Sequence, residues 1–190
     1  MPAGTYALYG DVVHESGLPE TMVAEITVPE LPGKPLEGDD SGATGTAADT
    51  EFRLPDGAKM VWVREAGPIP VKKPYAFRFR LETADGKPAT DMELYMGMLG
   101  HAAFVRADRS VFAHVHPSGS VPMASLTIAQ KNAGDPHAGH DMHPASLPAE
   151  VSFPYGFPQA GDYRIFVQMK RAGQVQTGFF KVTVDPAPAK

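Results

Sequence analysis

Apolar and polar residues alternate with a period of two along much of this chain, which is typical of half-buried β-strands. The strands predicted in this way are Lys59–Val63, Tyr75–Leu81, Ala124–Ala129, Ala149–Phe153, Tyr163–Lys170 and Thr177–Val184. No segment has a clear helical period, although we expect one turn of helix or 3₁₀-helix within Asp91–Leu99. Short strands combined with 19 Gly and 19 Pro residues predict an all-β protein. We expect an antiparallel β-sandwich of the immunoglobulin-like or cupredoxin-like kind.

A hairpin that carries three histidines is predicted at Gly100–Pro117, where two apolar runs flank the polar turn Ala107–Ser110. A turn centred in the middle of that segment sets His101 opposite His116 and Ala103 opposite His114. Opposed residues share a face of a sheet and side chains alternate along each strand. All three imidazoles would therefore project from one face, whereas a slip of one residue would move His101 to the other face.

The start of the chain resembles its end. Ala3–Tyr9 matches Ala160–Phe166, and Ile26–Val28 matches Val182–Val184 after a one-residue gap. Each copy predicts a strand, a turn that contains Gly and a second strand. The expected organisation is the closing hairpin of a preceding, truncated β-domain at 1–29, a linker at 30–50 and a metal-binding β-sandwich at 51–186. An isolated hairpin is marginally stable, so we expect it to pack on the second domain or to form a homo-oligomer.

The composition excludes several classes of protein. A net charge of −5 without a basic stripe argues against nucleic-acid binding. The absence of cysteine excludes disulfides, zinc fingers, iron–sulfur clusters, thiol catalysis and the thiolate of a blue-copper centre. No apolar stretch approaches the ~20 residues of a membrane-spanning helix. No secretion signal is recognisable after Met1, so we expect any such signal to lie outside this chain.

The ligand types in and near the hairpin favour copper. Imidazole suits copper, zinc, iron and nickel, whereas a thioether selects Cu(I). Met98 and Met123 lie on either side of the hairpin and are candidate fourth ligands beside the three histidines. Copper, as Cu(I) or Cu(II), is the expected ion, with zinc as the alternative. Met96 is expected instead to fill a gap in the core.

A second group of candidate ligands lies in the Gly- and Pro-containing segment Asp135–Pro144. Its members are His137, His140, Met142 and His143. Short histidine-rich tracts are typical of metal binding, and a flexible loop suits capture and transfer of an ion. The alternative is a solvated insertion without a function in metal binding.

Motifs of common enzymes are absent from the sequence, including phosphate loops, G-x-S-x-G and H-E-x-x-H. The favoured function is therefore non-catalytic metal binding. One alternative is a metal-free structural or interaction module, since a fold alone does not set function. Another is a zinc hydrolase-type enzyme, in which three histidines hold the ion and water takes the fourth position.

Three segments resemble a group of bacterial secreted or membrane-anchored β-sandwich proteins. These are Tyr95–His101, Phe112–Gly119 and Phe157–Phe166, which match its G-H strand, its H-V-H-P strand and its final F-P-x-x-G-x-Y-R hairpin. The group is similar in outline to periplasmic copper-binding domains of the CopC and YtkA-like kind. The resemblance covers residues 58–184, and residues 1–28 look like the tail of a preceding copy.

This resemblance implies a periplasmic or extracellular location and the handling of a metal, preferably copper, together with a protein that donates or accepts the ion. The histidine that copper carriers place at their mature N-terminus is not visible here. Only the three hairpin histidines are therefore carried over as candidate ligands.

Overall fold

The computed structural model describes residues 3–14, 16, 19–30, 32–33, 46–118 and 147–186. The strands in these residues are β1 (Gly4–Val13), β2 (Pro19–Val28), β3 (Glu51–Arg53), β4 (Lys59–Val63), β5 (Ile69–Pro70), β6 (Tyr75–Glu82), β7 (Met92–Glu93), β8 (His101–Arg106), β9 (Phe112–Val115), β10 (Glu150–Tyr155), β11 (Gly161–Arg171) and β12 (Gln174–Asp185). The all-β class predicted from the alternation is confirmed. Within the described residues there is no helix, and hence none that could cross a membrane.

The chain divides into two compact units, Met1–Asp40 and Ser41–Lys190. In the first unit, β1 and β2 pair antiparallel along ten residues, from Gly4 opposite Val28 to Val13 opposite Pro19. The hairpin predicted at the start of the chain is therefore confirmed. That it closes a preceding β-domain stays a prediction.

The second unit contains two β-sheets. One has the strand order β10-β6-β4-β3, and the other has the order β5-β12-β11-β8-β9, with β7 also paired to β11. Neighbouring strands are antiparallel except β5, which runs parallel to β12. Strand β8 lies between β11 and β9, so its backbone is hydrogen-bonded on both sides.

Aromatic side chains from both sheets fill the space between them, which makes the unit a β-sandwich. The rings of Phe77 and Phe104 lie 5.0 Å apart between centroids, and those of Phe79 and Phe180 lie 5.1 Å apart. All four side chains are buried. The Tyr163 hydroxyl donates a hydrogen bond of 2.9 Å to the carbonyl four residues earlier, an arrangement known in immunoglobulin-like sandwiches as the tyrosine corner.

The alternation located most strands of this unit to within a few residues. Strand β4 has the predicted bounds, β6 is one residue longer, and β11 and β12 extend beyond the predicted closing pair. Strand β10 begins one residue later than expected and continues to Tyr155. The strand predicted at Ala124–Ala129 lies outside the described residues.

The turn of helix expected within Asp91–Leu99 is wrong. The segment forms the short strand β7 and then a tight turn closed by backbone hydrogen bonds of 2.8 and 3.1 Å between Tyr95 and Met98. The two residues inside the turn, Met96 and Gly97, have φ values of 51° and 80°. Positive φ at both central positions is incompatible with a right-handed helix and is typical of a two-residue hairpin turn.

The repeat predicted between the two ends of the chain extends to strand register. Gly4 pairs with Val28 in the first hairpin, as Gly161 pairs with Val184 in the last. The correspondence holds pair by pair along both hairpins, up to Val13 opposite Pro19 in the first and Lys170 opposite Val175 in the last. Since register decides which side chains share a face, the two hairpins present equivalent positions on equivalent faces.

Gly100 allows β8 to approach β11 closely just before His101. A Cβ atom at this position would lie 2.6 Å from the backbone oxygen of Gln168, which cannot move without disturbing the sheet. We expect Gly100→Ala to lower the free energy of unfolding by about 1–3 kcal/mol, as measured by chemical denaturation. The control is Gly10→Ala in β1, where a Cβ atom meets nothing within 4 Å. Equal stability of the Gly100→Ala variant and the wild type would contradict this explanation.

Candidate metal centre

The register of the β8–β9 hairpin is the one predicted. Ala103 pairs with His114 and Ala102 with Val115, and the same register continued by one residue sets His116 opposite His101. Phe104 points towards the other sheet, where it contacts Phe77. Because side chains alternate along β8, His101 projects from the opposite, outer face of its sheet. The three histidines therefore lie together on the outside of the sandwich.

The three imidazoles are close enough to bind one ion. Their ring centroids are 5.3 Å apart for His101 and His114, 5.3 Å for His101 and His116, and 4.8 Å for His114 and His116. One nitrogen from each ring lies within 4.8 Å of the other two. The three residues thus form a possible metal-binding cluster.

One pair of nitrogens already has the spacing of two ligands. His101 Nδ1 and His114 Nε2 are 3.1 Å apart. At metal–nitrogen distances of about 2.0–2.1 Å, two ligands are separated by about 2.9 Å at a right angle and about 3.3 Å at the tetrahedral angle. The observed distance lies between these limits. His116 is exposed, so its side chain can approach the ion without repacking the core.

A backbone carbonyl holds the ring of His101 in place. His101 Nε2 lies 3.2 Å from the carbonyl oxygen of Tyr95. A carbonyl can only accept a hydrogen bond, so Nε2 carries the proton and the lone pair of the neutral ring is on Nδ1, the atom that faces His114. Metal-binding histidines commonly donate their second N–H in this way, which fixes both tautomer and orientation.

The turn at Tyr95–Met98 therefore positions His101 through its backbone, whereas the sequence predicted only the Met98 side chain of this turn as a candidate ligand. The ring of Tyr95 also contacts His101 edge-on, with 5.3 Å between ring centroids. The contact of the Tyr95 carbonyl with His101 could not be predicted from residue types, because it involves the backbone. The turn itself could have been predicted from the Met96-Gly97 dipeptide, since Gly readily adopts the positive φ that such a turn needs.

The two methionines of this turn differ in exposure. Met96 is 68% exposed at the tip, so its expected position in the core is wrong, because the side chain of a residue at the tip of a turn points away from the sandwich. Met98 is buried and forms a bridge with Tyr95 across the turn. It lies on the segment that covers His101 and stays a candidate ligand.

The remaining candidate ligands lie outside the residues that the structure describes. They are Met123, His137, His140, Met142 and His143. Their assignment as metal ligands stays a prediction.

Burial controls the protonation of His101. The side chain is 5% exposed, and burial lowers its pKa below the ordinary 6.5, with smaller contributions in the same direction from His114 and His116 and an opposing one from the Tyr95 hydrogen bond. The ring is consequently neutral at neutral pH and offers a lone pair without first losing a proton. One buried and two exposed imidazoles can hold a transition-metal ion that stays accessible from the solvent side.

Comparison with known proteins places these residues within one family domain. Residues 53–186 match the family described as "Domain of unknown function (DUF8832)". The match spans more than half of the chain, and the chain therefore belongs to this family. No curated protein matches the chain, and no solved structure does. The matched segment contains all three histidines, so the candidate metal centre is built within the family domain.

The lowered pKa of His101 predicts that the metal-free protein loses stability in acid. The unfolded chain binds a proton at this histidine near pH 6.5, whereas the folded chain binds it only at lower pH. The stabilising contribution is therefore complete above pH 6.5 and is lost as the pH falls. As the pH is lowered from 6.5 to 5.5, we expect the contribution of His101 to reduce the free energy of unfolding by at most about 1.4 kcal/mol.

Urea denaturation in the presence of a chelator, at several pH values between 7.5 and 5.0, measures this effect. The His101→Gln variant should show a shallower dependence of stability on pH than the wild type. His14→Gln serves as the control, because His14 is an exposed histidine that pairs with Glu20 in the first hairpin. Identical slopes for the wild type and His101→Gln would contradict the assignment.

Proposed function

We propose that this chain is a non-catalytic metal-binding domain that holds copper at His101, His114 and His116. The observation that carries the proposal is the 3.1 Å separation of His101 Nδ1 and His114 Nε2, in a cluster where one nitrogen from each of the three rings lies within 4.8 Å of the other two. The Tyr95 carbonyl supports it further, because it directs the lone pair of His101 towards His114. The site would bind, store or transfer an ion that arrives from solvent.

Metal binding must compete with the contact between His101 and His114. A hydrogen bond between their two nitrogens needs one proton, supplied by Nε2 of His114, because Nδ1 of His101 is the acceptor. An ion needs a lone pair from each ring. His114 must therefore bind with its proton on Nδ1 and its lone pair on Nε2, whereas His101 already has the required tautomer. His101 thus acts as the preorganised ligand and the two exposed histidines as the adaptable ones.

The choice of copper is supported by Met98. This methionine is buried in the turn whose carbonyl contacts His101, and thioether sulfur favours Cu(I). Imidazole binds Cu(II) as well as Zn(II), so a centre of three histidines and one methionine would accept both oxidation states of copper. Zinc is the competing ion that the experiment must distinguish.

The proposed setting is the periplasm or the extracellular space. It is supported by the resemblance of the G-H and H-V-H-P strands to copper-binding sandwiches of the CopC and YtkA-like kind, and the absence of cysteine is compatible with an oxidising compartment. In that setting the ion would come from, or pass to, another metal-binding protein. The histidines and methionine of 137–143 would capture the ion before the hairpin binds it.

The decisive test is a titration of the chelator-treated chain with Cu(I), Cu(II) and Zn(II), read as thermal stabilisation. An ion that binds only the folded state stabilises it by about 4 kcal/mol at a thousand-fold excess over Kd. We expect this stabilisation with copper and its loss in the double variant His114→Ala/His116→Ala. The matched control is His14→Ala, which removes an exposed histidine of the other unit and should leave binding unchanged.

Each other outcome of the titration has a definite meaning. Equal stabilisation of the double variant and the wild type would place the ligands at 137–143 instead of the hairpin. Stabilisation by zinc in preference to copper would overturn the choice of ion and favour a zinc hydrolase-type site. No stabilisation by any ion would reject metal binding and leave a structural or interaction module.

Replacement of Met98 tests its assignment as the soft ligand. Leucine has nearly the volume of methionine and no sulfur, so Met98→Leu should preserve the turn. We expect the affinity for Cu(I) to fall at least tenfold and the affinity for Zn(II) to change less than threefold, as measured by competition with a chromophoric chelator. Equal Cu(I) affinities would assign Met98 to packing alone.

A further inference from the structure

The first hairpin has one apolar and one polar face. Opposed residues of β1 and β2 share a face, and the observed register places seven apolar side chains together. We call them the apolar face: Tyr6, Leu8, Val12, Met22, Ala24, Ile26 and Val28. The opposite face carries Thr5, Asp11, Thr21, Glu25 and Thr27 around the pair Tyr9 and Val23.

In the last hairpin, formed by β11 and β12, the equivalent face packs inside the β-sandwich. Tyr6, Leu8 and Ile26 correspond in register to Tyr163, Ile165 and Val182 of β11 and β12. All three of these side chains are buried against the four-stranded sheet of the second unit. The same pattern of side chains, on strands of the same register, is thus used once in this chain as one half of a β-sandwich.

In the first hairpin the corresponding side chains are less covered, since Tyr6 and Ile26 are half-buried and Leu8 is exposed. Leu8 is 48% exposed and Met22 is 56% exposed. Burial of such side chains stabilises a fold, and a two-stranded sheet without a covered face is marginally stable. A second sheet that covers the apolar face would therefore stabilise the hairpin.

We propose that the apolar face is covered by the same face of a second copy of this chain, so that two hairpins pack into a small four-stranded sandwich. A face that lacks charge along most of its length can pair with itself across a two-fold axis. The acidic side chains Asp11 and Glu25 lie on the opposite face and avoid mutual repulsion. Glu20, opposite Val12 near the turn, is paired with His14 at 2.8 Å.

The size of the face predicts a weak dimer. Two strands of ten residues form a surface about 33 Å long and about 10 Å wide, or about 330 Å² per copy. The two faces together fall below the ~1,200 Å² of a stable interface. We therefore expect a reversible dimer that dissociates in the range of about 10–100 μM.

Analytical ultracentrifugation of the full chain between 5 and 500 μM tests the dimer, with a chelator present so that bridging metal ions do not contribute. The mass should rise with concentration from the 20.3 kDa of the monomer towards twice that value. Leu8→Lys should abolish the rise, whereas Thr5→Lys on the opposite face should leave it intact. A wild type that stays monomeric at 500 μM would overturn the proposal, as would equal dimerisation of both variants.

The absence of cysteine from the chain allows a second test that does not introduce a charge into the hairpin. Ala24→Cys places a thiol within the apolar face, and Thr27→Cys places one on the opposite face. Under oxidation by glutathione disulfide at 100 μM protein, we expect at least fivefold more covalent dimer from Ala24→Cys. Equal yields would reject this face as the interface. Neither result affects the histidine centre, which lies in the other unit.

Discussion

The pairing of β8 with its two neighbours is the constraint on which the candidate centre depends. Strand β8 is hydrogen-bonded to β11 on one side and to β9 on the other, so its register is set twice. Because successive side chains alternate between faces, the contact of Phe104 with Phe77 in the core also directs His101 outwards. The same ladder brings His114 opposite Ala103. The register that packs the core therefore also places the candidate ligands on the outer face.

Unequal burial divides the three histidines into different roles. His101 is buried, which lowers its pKa, and its hydrogen bond to the Tyr95 carbonyl fixes its tautomer. His114 and His116 are exposed on the neighbouring strand and beyond its end. As candidate ligands, one rigid and two accessible histidines would suit an ion that enters and leaves from solvent, which is the function proposed above.

The two related hairpins have the same strand register and a similar alternation of side chains, yet one is buried and the other is exposed. Their registers correspond from Gly4 and Gly161 onwards, yet Ile165 is fully buried and its counterpart Leu8 is largely open. Strand formation and pairing follow from alternation and from the turn, which are local properties. Burial depends on the presence of a second sheet, and for β11 and β12 that sheet is provided by β3, β4, β6 and β10.

Several features of the fold could be predicted because they depend on neighbouring residues. The alternation at Lys59–Val63 located β4 without error, and the polar turn after β8 was sufficient to set the register of the three histidines. The turn at Tyr95–Met98 was missed because nine residues are too few to distinguish a short helix from a tight turn by periodicity. Its Gly97 was the one local indication of positive φ.

The sequence by itself determined the all-β class, most of the strands and the common face of His101, His114 and His116, since a period of two and a polar turn encode all of these locally. Only the tertiary structure decided that the Tyr95 carbonyl contacts His101, that His101 is buried and that Met96 is exposed. The physical reason is that a backbone carbonyl has no residue-type signature. Burial, likewise, is set by segments that pack together in space and not by their order along the chain.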